Sequence, residues 1–343
     1  MGLAHGGRLN RAAAAYGIPV GQWLDLSTGI NPRSWPVPEL PESVWQRLPE
    51  ADDGLDAIAR DWAGAPAVAG CTALPGSQAA IQLMPRLRAP GRIGVPAPGY
   101  AEHAHWWRAA GHEVVPLAHD AVEDALDGLD ALVWIHPNNP TGLCLPRQTL
   151  RDWHGRLAAR GGWLVLDEAF VDPTPEASLV ADTGADGLVV LRSTGKFLGL
   201  AGLRGGFCFG PPALCDDLEA QLGPWAVSHP ARWVLARALS DRDWQHATRE
   251  ALAAQAAALD AVLHRHGLDV TGGTALFRYC PHPQAAAIQE RLARQGILVR
   301  TFEQPPALRF GLPPDAAGLQ RLDAALDRLK AHQPQITQMH ADL

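Results

Sequence analysis

Between about residues 44 and 239 the chain repeats one unit: a short apolar run of strand length, a turn, then an amphipathic stretch of helical periodicity. Apolar runs fall at 92–95, 113–117, 131–135, 163–166, 188–191 and 206–209, with helix-like stretches at 77–88, 100–110, 149–160 and 212–222. Strands that alternate with helices in this way lie largely parallel in a sheet covered on both faces, so this stretch is expected to be an α/β domain. From about residue 241 the texture changes. A long Ala-rich helix to about 266 precedes short strands at 268–271 and 276–280, a helix at 283–295, strands at 297–300 and 308–311, and a last helix to about 330. We expect a large domain over 44–240 and a small α+β domain from 241–343, against which residues 1–43 pack.

A parallel sheet also dictates where chemistry belongs, because its ligands bind beyond the carboxyl ends of the strands. Asn138 and Asn139 follow the ALVWI run, Asp167 ends the WLVL run, and Ser193 and Lys196 follow the LVVL run. An Asn before Pro is often only a turn, and an Asp at a strand end is often only a helix cap. A double Asn followed by Pro-Thr-Gly can instead face a ligand with its amides. A carboxylate among the apolar residues of LDEAF needs a partner if it is buried, and a cationic ligand nitrogen is one such partner.

Against 27 arginines the chain has only two lysines, Lys196 and Lys330. A lysine amine can bond covalently to a carbonyl carbon, whereas arginine, never deprotonated, cannot. Lys196, in STGKFLGLAGLRGG, is therefore a catalytic candidate, the alternative being a lysine that only lays its stem on apolar surface. Gly76 and Ser77 open a helix whose first N–H groups can bind an anion, and Arg204, eight residues after Lys196, can add a positive fork. A ligand with a phosphate, a carbonyl and a cationic nitrogen answers all four groups. Pyridoxal 5'-phosphate is such a ligand.

Other chemistries lack support. A formal net charge of -7 argues against nucleic acid as a partner. The five cysteines are odd in number and widely spaced, with no CxxC pair or zinc-ligand spacing, so we expect a reducing compartment and no metal. No signal-peptide core and no apolar run of ~20 residues is present, which predicts a cytoplasmic protein that binds no membrane. A P-loop, GxSxG elbow, HExxH helix and GxGxxG turn are all missing from the sequence.

HPNNPTG, DEAF and STGK, in that order and spacing, with Gly-x-Arg after the lysine, resemble the class I and II aminotransferase superfamily of pyridoxal-phosphate enzymes. The likeness covers nearly the whole chain. It implies fold type I, with a mostly parallel seven-stranded sheet in the large domain, and a homodimer. It further implies that Lys196 bonds the cofactor and later moves protons, that Asp167 pairs with the ring nitrogen, and that Asn139 bonds the phenolic oxygen. Tyr100 would stack on the ring, and Gly76, Ser77, Gln78, Ser193 and Arg204 would hold the phosphate. Arg309, in LRFG, falls where relatives bind the substrate α-carboxylate. Three positions depart from the pattern: Gly205 replaces an apolar residue, Phe170 replaces a tyrosine that reaches the phenolic oxygen, and Arg47-Leu48-Pro49 lacks the tyrosine that crosses to the partner's phosphate.

Within that superfamily, HGG at His5 to Gly7, LDLSTGINP, RLPEADDG and PWAVS resemble the threonine-phosphate decarboxylases of cobalamin biosynthesis. The implied reaction converts L-threonine O-3-phosphate to (R)-1-amino-2-propanol O-2-phosphate. An aminotransferase acting on a phosphorylated amine such as histidinol phosphate is the alternative. His5, Gly6, Asn31, Asn139, Arg300 and Arg309 are the expected substrate contacts. For Gly6 and Asn31 the alternative is a turn-shaping role, and for Arg300 a surface charge at a strand end.

Overall fold

The structure, a computed structural model, describes residues 6–331. Its strands are β1 (Leu24–Leu26), β2 (Gly70–Leu74), β3 (Arg92–Pro96), β4 (Glu113–Leu117), β5 (Ala131–Ile135), β6 (Trp163–Asp167), β7 (Leu188–Ser193), β8 (Gly206–Gly210), β9 (Gly272–Thr274), β10 (Phe277–Pro281), β11 (Ile297–Glu303) and β12 (Pro306–Gly311).

The larger sheet has seven strands in the order β2-β8-β7-β6-β5-β3-β4. β8 alone runs against its neighbours, and the other pairings are parallel. Val, Leu, Ile and Trp fill β5 and β6, and every residue of β5 is buried, as a sheet with helices on both faces requires. Trp134 packs edge-on against Trp153 of the Arg147–Ala158 helix, their ring centroids 5.3 Å apart. This is the mostly parallel seven-stranded sheet of fold type I.

The smaller sheet has the order β1-β11-β12-β10-β9. β1, from the first forty residues, pairs in parallel with β11. The long helix Arg242–Arg265 packs on this sheet through Leu252, Ala256, Leu259 and Leu263, an i, i+4 apolar stripe.

Local details differ from the sequence reading for identifiable reasons. The helix expected over 77–88 stays α-helical only over Ser77–Leu83 and tightens to 3-10 over Met84–Leu87, because Pro85 has no N–H to continue the ladder. A strand expected at 268–271 forms instead at β9. There Gly272 and Gly273 lie against the backbone of Thr141 and Gly142, an approach so close that a Cβ at Gly142 or Gly272 would collide with it. That contact ties the NNPTG loop to the smaller sheet. β1 and β2 escaped the reading, β2 because Gly-Cys-Thr-Ala-Leu carries almost no β-branched signal.

Candidate active site

Strand direction brings the singled-out polar residues to one edge of the larger sheet. β5, β6 and β7 are parallel, so Asn139, Asp167 and Lys196, each at or just past a carboxyl end, emerge side by side. β8 is reversed, which puts its amino end at the same edge together with Arg204, two residues before it. β2 is reversed again relative to β8, and its carboxyl end delivers Gly76, Ser77 and Gln78. Between β3 and β5 the strand order breaks, the place where open α/β sheets bind ligands, and Tyr100 enters there.

A cavity of about 990 Å³ lies between this edge and the smaller sheet, which contributes Arg300, Phe302 and Arg309. Gly76, Ser77, Gln78, Tyr100, Asn139 and Asp167 line it, and Ser193, Lys196, Arg204 and Gly6 complete the expected set found there. Asn31 is not among the lining residues. Its Nδ2 donates to the Phe197 carbonyl at 2.9 Å and its Oδ1 accepts from Arg33 N at 2.9 Å, so the amide braces the loop behind Lys196 rather than facing a substrate. His5 lies outside the described residues.

Lys196 starts from the short helix Thr194–Phe197 that closes β7, with Nζ 5.9 Å from the centroid of the Phe170 ring. Burial, and after it the Arg309 guanidinium, push its pKa down to about 8, with Asp167 pulling the other way. A neutral, nucleophilic amine is thereby accessible near physiological pH.

Asp167 is buried, with Oδ1 accepting from Ala169 N at 3.1 Å and Oδ2 2.9 Å from His103 Nε2. His103 was passed over in the sequence; its only signal is its place one turn after Tyr100 on one face of the Ala101–Ala109 helix. Behind Asp167, the buried Glu168 accepts from Ser178 Oγ at 2.5 Å and Leu179 N at 2.8 Å, and Arg192 bonds Asp172 while its guanidinium sits 4.4 Å over the Trp62 ring. This network pins the strand end that carries Asp167, and burial pushes the Glu168 carboxyl up to about 7.

Arg309 donates to Asn139 Oδ1 and to the Ser27 carbonyl, the latter at 3.0 Å. Its Nε has no hydrogen-bond partner among the described residues, and burial followed by Arg300 lowers its pKa to about 10. With the Asn139 oxygen taken by Arg309, the amide N–H2 remains to donate to a phenolic oxygen.

Gly76 has φ +81°, and a Cβ there would come within 2.5 Å of Arg204 Nη2. Arg204 itself adopts φ +58°, a left-handed conformation uncommon for a side-chain-bearing residue, and its Nη1 donates to the Ala201 carbonyl at 3.1 Å. The bare Cα of Gly76 thus leaves room for a guanidinium beside the first N–H groups of the Ser77–Leu83 helix, a cradle for a phosphate. Together with the buried amine of Lys196 and the buried carboxylate of Asp167, this donor set fits pyridoxal 5'-phosphate. Trp106, Phe302 and Glu102 also line the cavity, and no sequence motif marked them; Ser27, within LDLSTGINP but not singled out there, lines it too.

Residues 23–326 match the family model for aminotransferase class I and II. The chain is 53% identical over 324 residues to a threonine-phosphate decarboxylase of Pseudomonas aeruginosa, covering 94% of this chain and 97% of that one. It is 42% identical over 334 residues to a threonine-phosphate decarboxylase of a Sinorhizobium species, covering 96% and 98%. Among solved structures, histidinol-phosphate aminotransferase from Sinorhizobium meliloti, in complex with pyridoxal-5'-phosphate, superposes with a TM-score of 0.78 at 18% identity, covering 96% of this chain and 95% of that one. At that identity the likeness is one of fold.

Proposed function

The chain belongs to the class I and II aminotransferase family, and from this premise we propose that it decarboxylates L-threonine O-3-phosphate to (R)-1-amino-2-propanol O-2-phosphate with pyridoxal 5'-phosphate as cofactor. The observation that carries the proposal is that a cavity with one buried amine also holds two arginines, Arg300 and Arg309, in cross-strand register. A substrate bearing both a carboxylate and a phosphate calls for two such cations. The names of the two similar relatives indicate which such substrate, and cobalamin biosynthesis follows from it.

When bound, the cofactor supplies an aromatic system that takes up the electrons released as a bond to the substrate α-carbon breaks. Asp167, held by His103, keeps a proton on the ring nitrogen, so that the ring remains an acceptor. Lys196 Nζ would hold the cofactor's carbonyl carbon and would be the group that brings a proton to the α-carbon in place of the departing carbon dioxide. Arg309 orients the carboxylate and Arg300 the phosphate. Gly6, whose neighbour Gly7 N donates to Ser27 Oγ at 2.8 Å, closes the cavity beside them, with His5 adjoining in sequence. Anchoring the substrate at both ends fixes the rotation about the bond between nitrogen and α-carbon, and that rotation decides whether carbon dioxide or a proton leaves.

The same reading makes the enzyme a cytoplasmic homodimer with a small domain of residues 1–43 and 241–343 and a large one of 44–240. Trp45, Leu48 and Trp225, all more than half exposed, support an interface, and Arg47 O accepting from His229 Nδ1 at 3.2 Å brings their segments together. No helix among the described residues is long and apolar enough to cross a membrane.

The deciding experiment mixes cofactor-loaded enzyme with L-threonine O-3-phosphate in the absence of any keto acid, following carbon dioxide and the cofactor's visible absorption. Sustained gas release with the starting spectrum retained is expected. Conversion of the cofactor to its amine form without gas would instead mean amino-group transfer, the reading that the aminotransferase relatives favour.

A further inference from the structure

The cavity wall beside Tyr100 carries a hydrogen-bond chain that none of the steps above uses. Tyr100 Oη donates to Gln78 Oε1 at 3.1 Å, Gln78 Nε2 donates to Glu102 Oε2 at 3.0 Å, and Trp106 Nε1 donates to that same oxygen at 2.8 Å. All four residues line the cavity. Glu102 and Trp106 stand one turn apart on the Ala101–Ala109 helix, so the indole N–H fixes the carboxylate's rotamer.

The chain has one polarity. An ionised carboxylate only accepts, so the Gln78 amide must turn its N–H2 towards Glu102 and its carbonyl towards Tyr100. The phenol must then donate. Burial, with Glu102 as the next cause, pushes the Tyr100 hydroxyl up to about 12, so it keeps its proton across the working range. Without an acceptor at position 102 nothing holds the Gln78 amide in this orientation, so it can turn over or swing away and the bond to Tyr100 no longer has one fixed direction or one fixed place to set the tilt of the ring.

We propose that Glu102 is a positioning residue for the cofactor: through Gln78 it orients the Tyr100 hydroxyl, and with it the ring face against which pyridoxal 5'-phosphate lies. The inference rests on the reading that this cavity takes pyridoxal 5'-phosphate with Tyr100 over its ring. It adds a positioning device to that reading, acting on a ring's tilt through the carboxylate that holds Gln78.

The test titrates cofactor-free protein with pyridoxal 5'-phosphate and records the dissociation constant and the visible circular dichroism of the bound ring. Four variants are compared: Glu102→Ala, Glu102→Gln, Tyr100→Phe and the double Glu102→Ala/Tyr100→Phe. Glu102→Ala and Tyr100→Phe are each expected to weaken binding about tenfold, the worth of one hydrogen bond, and to alter the dichroism in the same way. Glu102→Gln, whose amide oxygen can accept both donors, should stay within about twofold of the unchanged chain. The double variant should be no weaker than Tyr100→Phe alone, because Glu102 acts through the hydroxyl that Phe lacks. A merely packing role for Glu102 predicts losses that add, and additive losses overturn the proposal. So does a Glu102→Ala variant that binds like the unchanged chain, or a Glu102→Gln variant that loses as much as Ala. Glu102→Met, which fills the space without an acceptor, takes the place of Ala if the truncated protein does not fold. An unchanged chain that fails to bind pyridoxal 5'-phosphate sinks the reading of the cavity and the proposal together, whereas binding that ignores Glu102 sinks the proposal alone.

Discussion

Arg300 on β11 and Arg309 on β12 are direct cross-strand partners, and both side chains reach the same cavity. Like charges placed opposite one another in an antiparallel pair repel, and burial of Arg309 sharpens the cost. An arrangement of that kind makes sense where a substrate with two anionic groups lies between the guanidiniums. Arg300→Ala is therefore expected to raise KM for L-threonine O-3-phosphate about ten- to a hundredfold, the worth of a charge-assisted hydrogen bond, while leaving KM for plain L-threonine nearly unchanged. Steady-state kinetics with both substrates checks this, and equal effects on the two would remove Arg300 from the phosphate.

Asn31 makes the opposite prediction. Its Nδ2 donates to Phe197 O and its own N–H to Lys196 O at 2.9 Å, so both donors hold the loop that carries the lysine, while Oδ1 accepts from Arg33 N and shapes its own turn. Asn31→Ala should cost about 1–3 kcal/mol of stability through the buried groups left unpaired. KM for the phosphorylated substrate should move by less than about twofold. A denaturant midpoint that stays put while KM climbs would return Asn31 to the substrate site.

Asn31 and His103 show where the sequence ran out. The strand ends were legible because each motif follows an apolar run, and a parallel sheet aligns carboxyl ends whatever the details of packing. Lys196 stood out through the scarcity of lysine, and Arg204 through its spacing from it. The bonds between Arg309 and Asn139 and between His103 and Asp167 join residues 170 and 64 positions apart, and only the closed fold makes such distances short. A polar side chain beside a motif can face the cavity or the scaffold, and Asn31 faces the scaffold because the Phe197 carbonyl needed a donor there. Glu102, Trp106 and Phe302 carry no motif and were invisible for the same reason.

Gly76 offers a steric test of the phosphate cradle. Gly76→Ala imposes a Cβ at φ +81°, a conformation costing about 1–2 kcal/mol for an L-residue, and drives that atom to 2.5 Å from Arg204 Nη2. Arg204 must give way. Affinity for pyridoxal 5'-phosphate should fall about tenfold or more, as measured by titration of cofactor-free protein, and Arg204→Ala should show a similar loss. Because both act on one guanidinium, the double variant should fall short of the product of the two, and full additivity would mean that Gly76→Ala does not act through Arg204.

The last prediction concerns the sign of a pH dependence. Burial lowers the Lys196 amine from 10.5 to about 8, so the folded, cofactor-free chain binds that proton more weakly than the unfolded chain does. Between those two pH values the unfolded state carries more protons, and stability rises with pH across the window. Below about pH 8 both states are protonated and the whole penalty is present. Lys196→Met, similar in length and uncharged, removes it. The variant should therefore exceed the unchanged chain in stability at pH 7 by up to about 3 kcal/mol, with a gap that closes towards pH 10.5. Denaturation midpoints of cofactor-free protein at pH 7, 9 and 10 measure the gap, and a constant difference would mean that Lys196 does not titrate in that range. The same amine sets the rate at which the unchanged chain captures pyridoxal 5'-phosphate covalently. That rate should climb about tenfold per pH unit below pH 8 and then level off, since only the neutral amine attacks a carbonyl. Lys196→Met should show no covalent capture at any pH.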